Sequence, residues 1–199
     1  MFSGGFIIST KAIREEFRAR RRALTLEHID SASAQLTQRL LQLPETQASK
    51  TIAIYIAHEN EIDTMYFMQE LVGMNKELFL PVMTGNTLEF FRYELNDNLT
   101  AATNGISQPQ AKSHQRIDVS SLDLMFLPLV AFDPQCYRLG RGGGFYDRAL
   151  GKMLVDTKAR PCLVGLAYDF QRVDSLPVDP WDVPLDAVVT ESLVYRKMR

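Results

Sequence analysis

A chain of 199 residues, 46% of them hydrophobic, can bury a full core as one domain and still carry a small helical arm. Lysine and arginine number 22 against 24 aspartate and glutamate, a net charge of −2 that offers no general attraction to nucleic acid or to anionic membrane surfaces. Cys136 and Cys162 fit neither a metal spacing nor a disulfide framework, and the longest apolar run, Leu124 to Phe132, contains Pro128 and is too short to cross a bilayer.

Met1 to Thr10 lacks the charged and apolar regions of a secretion signal, and Ser3-Gly4-Gly5 reads as a flexible lead-in. A soluble protein of the reduced cytosol is expected, with Cys162 buried in an apolar run and Cys136 in a loop. Lys11 to Leu24 reads as a basic helix, with Arg14, Arg18 and Arg21/Arg22 on one face and Ile13, Phe17 and Leu24 on another. From spacing alone such a basic face is a solvated one. Thr25 is the expected N-cap of a second helix reaching about Leu43, with Leu36, Leu40 and Leu43 as its buried stripe. His28 has no acidic or thiol partner nearby and reads as a surface residue. Pro44 to Lys50 reads as a linker.

Thr51 to Ala57 is a nearly continuous apolar run, expected of a central strand buried on both faces. It delivers His58-Glu59-Asn60-Glu61-Ile62-Asp63-Thr64 to the strand's C-terminal end, where crevices of open α/β sheets lie. Asp63 or Thr64 caps the next helix, Met65 to Gly73. Strands are expected over Lys76–Val82 and Leu88–Tyr93. Tyr93 to Ser121 is long and polar, a length that in a compact domain carries function or disorder. His114 within it reads as solvated. A fourth strand is expected over Leu122–Phe132, a helix over Phe145–Val155, a strand over Pro161–Tyr168 and a last short strand over Ala187–Thr190. Strands alternating with helices indicate a parallel-dominated α/β sandwich.

Between the fourth strand and its helix lies Arg138-Leu139-Gly140-Arg141-Gly142-Gly143-Gly144-Phe145-Tyr146-Asp147-Arg148, with four of the eleven glycines in five positions. Glycine loses the most backbone freedom on folding, so clustering it suits a sharp bend or a close approach to a ligand. Successive amides there form an anion nest, a helix starting near Phe145 adds its positive end, and Arg138 and Arg141 suit phosphate oxygens. Asp147 suits the Mg²⁺ that accompanies a nucleotide triphosphate. The stretch reads as a phosphate-binding loop, against the alternative of a glycine-rich surface turn. It lacks the Gly-Lys-Ser/Thr of a Walker A loop, and Phe145 stands at the third glycine of the dinucleotide pattern.

These residues, with the preceding Leu127-Pro128-Leu129-Val130-Ala131-Phe132-Asp133, resemble the 5-formyltetrahydrofolate cyclo-ligase family. Further matches are Glu61-Ile62-Asp63-Thr64, the basic first helix, Asp179-Pro180-Trp181-Asp182 and Leu185-Asp186-Ala187-Val188-Val189. The resemblance spans nearly the whole chain. It implies a three-layer, Rossmann-like fold with a mostly parallel central sheet (NagB/RpiA/CoA transferase-like) in one domain, 1–199. It also implies ATP-dependent closure of 5-formyltetrahydrofolate to 5,10-methenyltetrahydrofolate by a cytoplasmic monomer without nucleic-acid or membrane partners.

By the same resemblance, Lys11, Arg14 and Arg138 to Tyr146 would bind ATP. Ile56, Glu61, Arg141, Gly142, Gly143, Gly144 and Phe145 would bind the folate, with Glu61 accepting the pterin's paired N–H donors. Asp147 and Asp182 would hold Mg²⁺. The family's first lysine falls at Thr10, with Lys11 one place late. Many members have lysine where this chain has Gly143, leaving Arg141 and Arg148 as the catalytic cations. Gly105-Ile106-Ser107-Gln108-Pro109 matches the segment beside the folate pocket, with Asn104 where some members carry an aromatic. Two other readings stay open: a non-catalytic nucleotide-binding relative, and a nicotinamide dehydrogenase built on Gly140-x-Gly142 with a ribose acid at Asp169.

Overall fold

The computed structural model describes residues 9–101, 105, 107–109, 115–151, 160–180 and 182–197. Helix α1 (Thr10–Arg22) is capped by the Ser9 hydroxyl on Ala12 N, and α2 (Leu26–Leu41) by Thr25 on His28 N. The expected linker contains a short helix, α3 (Pro44–Ala48), because proline at the first helical position is an initiator rather than a breaker. Then come β1 (Thr51–Ala53), α4 (Met65–Gly73), β2 (Glu77–Thr84) and β3 (Thr87–Tyr93). The polar stretch holds β4 (Leu99–Ala101), β5 (Ser107–Pro109), β6 (Arg116–Ile117) and a 3-10 turn at Val119–Ser121. Asn104 and His114, and the lead-in before Ser9, lie outside the described residues.

The expected fourth strand is two. β7 (Leu124–Pro128) stays in the sheet, and β8 (Ala131–Phe132) turns away to pair with β9 (Arg138–Leu139). Pro128 marks the break, since it has no amide to carry the ladder on. The glycine stretch runs into α5 (Phe145–Gly151); the rest of that expected helix lies outside the described residues. β10 (Cys162–Leu166), a 3-10 turn at Asp169–Gln171 and β11 (Ala187–Val189) follow. β12 (Val194–Arg196), not expected, closes the edge antiparallel to β11.

One sheet runs β12-β11-β10-β7-β1-β2-β3-β6. Its five central strands, β11 to β2, are parallel, and antiparallel pairs occupy both margins. Alternate residues sort to opposite faces, as period-two geometry requires. Ile52, Leu124 and Phe126 pack with Leu36 and Leu40 of α2 and Phe67 and Met68 of α4. Ala53, Met125 and Leu127 pack on the other side with Leu150 of α5 and Leu185. This is the expected three-layer, mostly parallel architecture. Helix α1 lies apart, pressing Ile13 and Phe17 onto Val130, Ala131 and Leu139 of the β8–β9 hairpin. No helix among the described residues is long and apolar enough to cross a membrane.

β1 is shorter than expected. Ile54 N still bonds Phe79 O at 3.0 Å, but the chain then leaves the sheet and turns through Glu59 and Asn60, both left-handed (φ 50° and 56°). An apolar run alone could not show this, because Tyr55 and Ile56 line the crevice the strand opens onto instead of extending the ladder.

Candidate active site

The β8–β9 hairpin aims the glycine stretch. Asp133, buried, accepts the amides of Gln135, Tyr137 and Leu176, and Cys136 takes a left-handed turn (φ 63°) between them. Burial lifts the Cys136 thiol to about 11 and Cys162 to about 12, so neither is a reactive thiolate. The nicotinamide reading fails on this geometry: Gly140 follows a hairpin rather than the end of a parallel strand. Asp169 likewise opens a 3-10 turn beyond β10.

The loop's carbonyls are held by arginines. Arg14 Nε donates to Gly140 O at 2.9 Å, Arg18 Nη2 to Arg141 O at 2.7 Å and Arg148 Nη2 to Gly143 O at 2.5 Å. Gly142 and Gly144 have positive φ (106° and 62°), which side chains rarely adopt. The amides of Gly140 to Gly144 have no hydrogen-bond partner among the described residues. With carbonyls tied back and amides unspent, the loop is a donor surface suited to an anion. Arg138, nearly buried, pairs with Asp147 and donates to Val183 O at 2.7 Å.

Facing this loop, Glu61 is buried and receives the His58 amide at 3.2 Å and Arg21 Nη1 at 3.4 Å. Burial pushes its carboxyl above the ordinary range, while Arg21 and then Arg141 pull it back. Burial and the charge of Arg141 lower His58. Burial and the Glu61 charge hold Tyr55 and Tyr146 well above the usual phenol value, so both are neutral donors. Asp63 accepts Met65 N at 2.9 Å at the start of α4, while the Thr64 hydroxyl makes no cap and donates back to Tyr55 O at 2.6 Å.

Both groups line one cavity of about 280 Å³. Ile56, Leu80, Pro81, Met83 and Leu88 give it apolar walls, and Ser107 and Gln108 of β5 close one side. Of the expected residues it gathers Ile56, Glu61, Arg138, Gly140, Arg141, Gly143, Gly144, Phe145, Tyr146 and Asp147. It does not gather the others. Lys11 is exposed and pairs with Glu15 at 3.9 Å, Arg14 is spent on Gly140 O, and Leu139 packs under α1. Gly142 is outside the lining, with Arg14 alongside it. Arg148 lies over the Phe145 ring at 5.1 Å and beside a separate groove, also bonding Asn86 O. Asp182 accepts Asp179 N at 2.8 Å, capping a turn whose Trp181 lies outside the described residues.

Two carboxylates plus phosphate oxygens suit Mg²⁺, which needs no all-protein cage. Asp147 lines the cavity and has Oδ2 without a hydrogen bond among the described residues, so it fits such a ligand. Asp182 has Oδ1 in the same state, one residue from the Val183 carbonyl that Arg138 grips.

Ser107 and Gln108 come from the segment expected beside the folate pocket, whereas the polar lining residues Arg18, Tyr55 and His58 were not anticipated as ligands. Nor was Arg21, which lies buried against Glu61 behind the lining. The helical spacing of Arg14, Arg18 and Arg21 was the available signal, and a solvated face was the wrong reading of it: Arg21 is 1% exposed.

The family model of the 5-formyltetrahydrofolate cyclo-ligase family matches residues 7–191. The 5-formyltetrahydrofolate cyclo-ligase of Escherichia coli K12 is 38% identical over 182 residues, covering 89% of this chain and 98% of that one. That of Haemophilus influenzae is 39% identical over 180 residues, covering 87% and 92%. Among solved structures, the NMR structure of Aquifex aeolicus 5,10-methenyltetrahydrofolate synthetase superposes with a TM-score of 0.82 at 33% identity, covering 96% of this chain and 94% of that one.

Proposed function

The chain belongs to the 5-formyltetrahydrofolate cyclo-ligase family, and on that premise we propose how its residues divide the work. Its reaction is the ATP-dependent cyclisation of 5-formyltetrahydrofolate to 5,10-methenyltetrahydrofolate, with release of ADP and phosphate. A formamide oxygen is a poor leaving group. Phosphoryl transfer from ATP to that oxygen gives an iminium phosphate; N10 attacks the formyl carbon and loses its proton, and the oxygen departs within phosphate. The protein's part is positioning and charge stabilisation rather than covalent catalysis.

One observation carries the assignment of roles: the donor surface of the glycine loop and the carboxylate of Glu61 line the same cavity. The unspent amides of Gly140 to Gly144, with Arg141, receive the triphosphate. Glu61 accepts the paired N–H donors of the pterin, and Ile56 and Leu80 cover its faces. Phe145 and Tyr146 stand between, where the formyl oxygen meets the terminal phosphate. Arg141, about 30% exposed and paired to Glu59 at 3.1 Å, is the catalytic cation best able to follow charge onto the moving phosphoryl group. Arg14, Arg138 and Arg148 act on the loop's shape. Mg²⁺ bound with the nucleotide would be held by Asp147 and Asp182 and would neutralise charge on the leaving phosphates. The balanced charge and two free thiols support a cytosolic enzyme, and action as a monomer is part of the same proposal.

The test is turnover. Purified protein supplied with 5-formyltetrahydrofolate, ATP and Mg²⁺ should yield one methenyl product per ADP. Binding of both ligands without product would leave a non-catalytic relative.

A further inference from the structure

The roles above use Glu61 but leave unexplained the charge buried against it. Arg21 is the largest fully buried side chain, 1% exposed, on the last turn of α1. Among the described residues its Nε and Nη2 have no hydrogen-bond partner, and its one side-chain bond, Nη1 to Glu61 Oε1, is long at 3.4 Å. Charge-assisted bonds of this kind usually run near 2.7–2.9 Å. A guanidinium so poorly satisfied adds little to stability; an apolar side chain of similar volume would often serve the fold as well or better. Asn60, left-handed, donates from its side chain to the Arg21 carbonyl at 3.1 Å, so the loop carrying Glu61 is latched to the same turn of helix. Glu61 is thus approached from two sides: the His58 amide takes Oε2 and Arg21 takes Oε1.

Arg21 does not line the cavity, so it does not touch a ligand there. What it can do is act through Glu61. A pterin offers two adjacent N–H donors to one carboxylate, which requires the carboxylate to be an anion and its plane to face the ring. In a site from which water is excluded the anion is the disfavoured form, and the carboxylate would otherwise turn or take up a proton. We propose that Arg21 is a positioning residue for the folate site: its buried guanidinium fixes the orientation of the Glu61 carboxylate and balances its charge, so that the pterin meets a ready acceptor. This rests on Glu61 as the pterin acceptor and deepens that reading. The long bond fits the role, because a tight bidentate pair would occupy the oxygens the substrate needs.

Other groups also face Glu61: Arg141 from the glycine loop, Tyr55 after β1, Tyr146 on α5, Tyr168 after β10, and His58 and Glu59 on its own loop. The tyrosines are pushed upward. His58 is therefore the neighbour to control, and the pH series below is run in a His58→Asn background.

Equilibrium binding of 5-formyltetrahydrofolate and of ATP is measured for the parent, Arg21→Met, Arg21→Lys, Glu61→Gln and Arg21→Met/Glu61→Gln. Arg21→Met should weaken folate about tenfold at neutral pH, the scale of one charged hydrogen bond, with ATP changed less than about twofold. Its folate affinity should recover as pH is raised and Glu61 re-ionises, a recovery that loss of packing alone would not produce. The double variant should be no worse than Glu61→Gln alone, since Arg21 acts only through that carboxylate. Lysine is a point charge on a shorter reach, so Arg21→Lys should fall between parent and Arg21→Met, its pH profile displaced upward.

Additive losses in the double variant, or a pH-independent loss in Arg21→Met, would overturn the proposal. Should Arg21→Met fail to fold, Arg21→Lys decides: parental affinity with the parental profile would overturn it too. If Glu61→Gln itself leaves folate binding intact, the pterin reading fails, and the proposal with it. If Glu61→Gln weakens folate but Arg21 acts independently, only the proposal fails.

Discussion

A Cβ placed on Gly143 would stand 2.7 Å from two ring carbons of Phe145. Real Cβ atoms do not come so close, so the ring would have to leave its place in the cavity wall. Gly143→Ala should therefore cut turnover by roughly 10- to 100-fold, the scale of an ångström-sized misplacement, and Gly143→Ala/Phe145→Leu should recover most of it. Gly144→Ala should not be rescued in this way, because its φ of 62° is strained whatever surrounds it. Steady-state kinetics on these three variants and on Gly144→Ala/Phe145→Leu checks this.

Glu61→Gln should weaken folate binding by roughly 1.5–3 kcal/mol, as for a lost hydrogen bond to a charged group, with ATP affinity nearly unchanged. Its stability should depend on pH with a definite sign. Folding raises this carboxyl above its ordinary value of 4.5, so the native state holds the proton longer than the unfolded chain does. The parent accordingly loses stability as pH climbs from about 4.5 to the native value, and the glutamine variant does not. The melting temperature of Glu61→Gln relative to the parent should rise across that window. The pairing with Arg21 is already contained in the net upward shift, because it acts only on the ionised form. A flat difference would mean that the native carboxyl titrates normally.

Arg138 and Arg141 should separate. Arg138 is 5% exposed and ties Asp147 to the Val183 carbonyl, so Arg138→Met leaves both short of a donor. A loss of about 1–3 kcal/mol is expected by urea unfolding, with ATP and adenosine binding falling together. The Arg141–Glu59 pair is about one-third exposed on both sides and adds under about 1 kcal/mol. Arg141→Met should keep the unfolding midpoint while weakening ATP far more than adenosine. Equal losses of ATP and adenosine in Arg141→Met would make Arg141 a shaping residue too.

Asp147→Asn and Asp182→Asn test the metal assignment. Asn accepts a backbone amide as well as Asp does, so the turn at Asp179 should survive in Asp182→Asn with little change in melting temperature. Asp147→Asn weakens the pairing with Arg138 and should cost somewhat more. If both hold Mg²⁺, each should lower turnover by roughly 10²-fold or more, partly restored by raised Mg²⁺. Normal turnover of both at low Mg²⁺ would place the metal elsewhere.

Much of the fold was legible because period and punctuation agreed: the apolar runs at Thr51, Leu122 and Pro161 became the parallel centre of the sheet. Pro128 was visible, but its effect was not, since only the hairpin partner at Arg138–Leu139 shows where the strand leaves the sheet. β12 escaped notice because Val194-Tyr195-Arg196 is short and, besides β11, its ordering partners Glu45 and Phe132 lie far off in sequence. At the site, the glycine stretch and Glu61 announced themselves by residue type. Arg14, Arg18 and Arg21 did not, because a helical repeat of arginines looks the same facing water as facing a loop far along the chain. Nor could spacing reveal that Arg138 and Asp147 would pair with each other.

Three arginines on successive turns of α1 take acceptors that lie 126, 123 and 40 positions onward. At the usual ~5–20 residues per second of synthesis, the glycine loop leaves the ribosome roughly 6 to 25 s after the helix that will hold it. Until then α1 has neither its carbonyl partners nor the hairpin under Ile13 and Phe17, so it must wait as a loose basic segment while the sheet is built strand by strand. The contacts by which α1 grips the loop and walls the cavity with Arg18 are therefore ones that only a nearly finished chain can make.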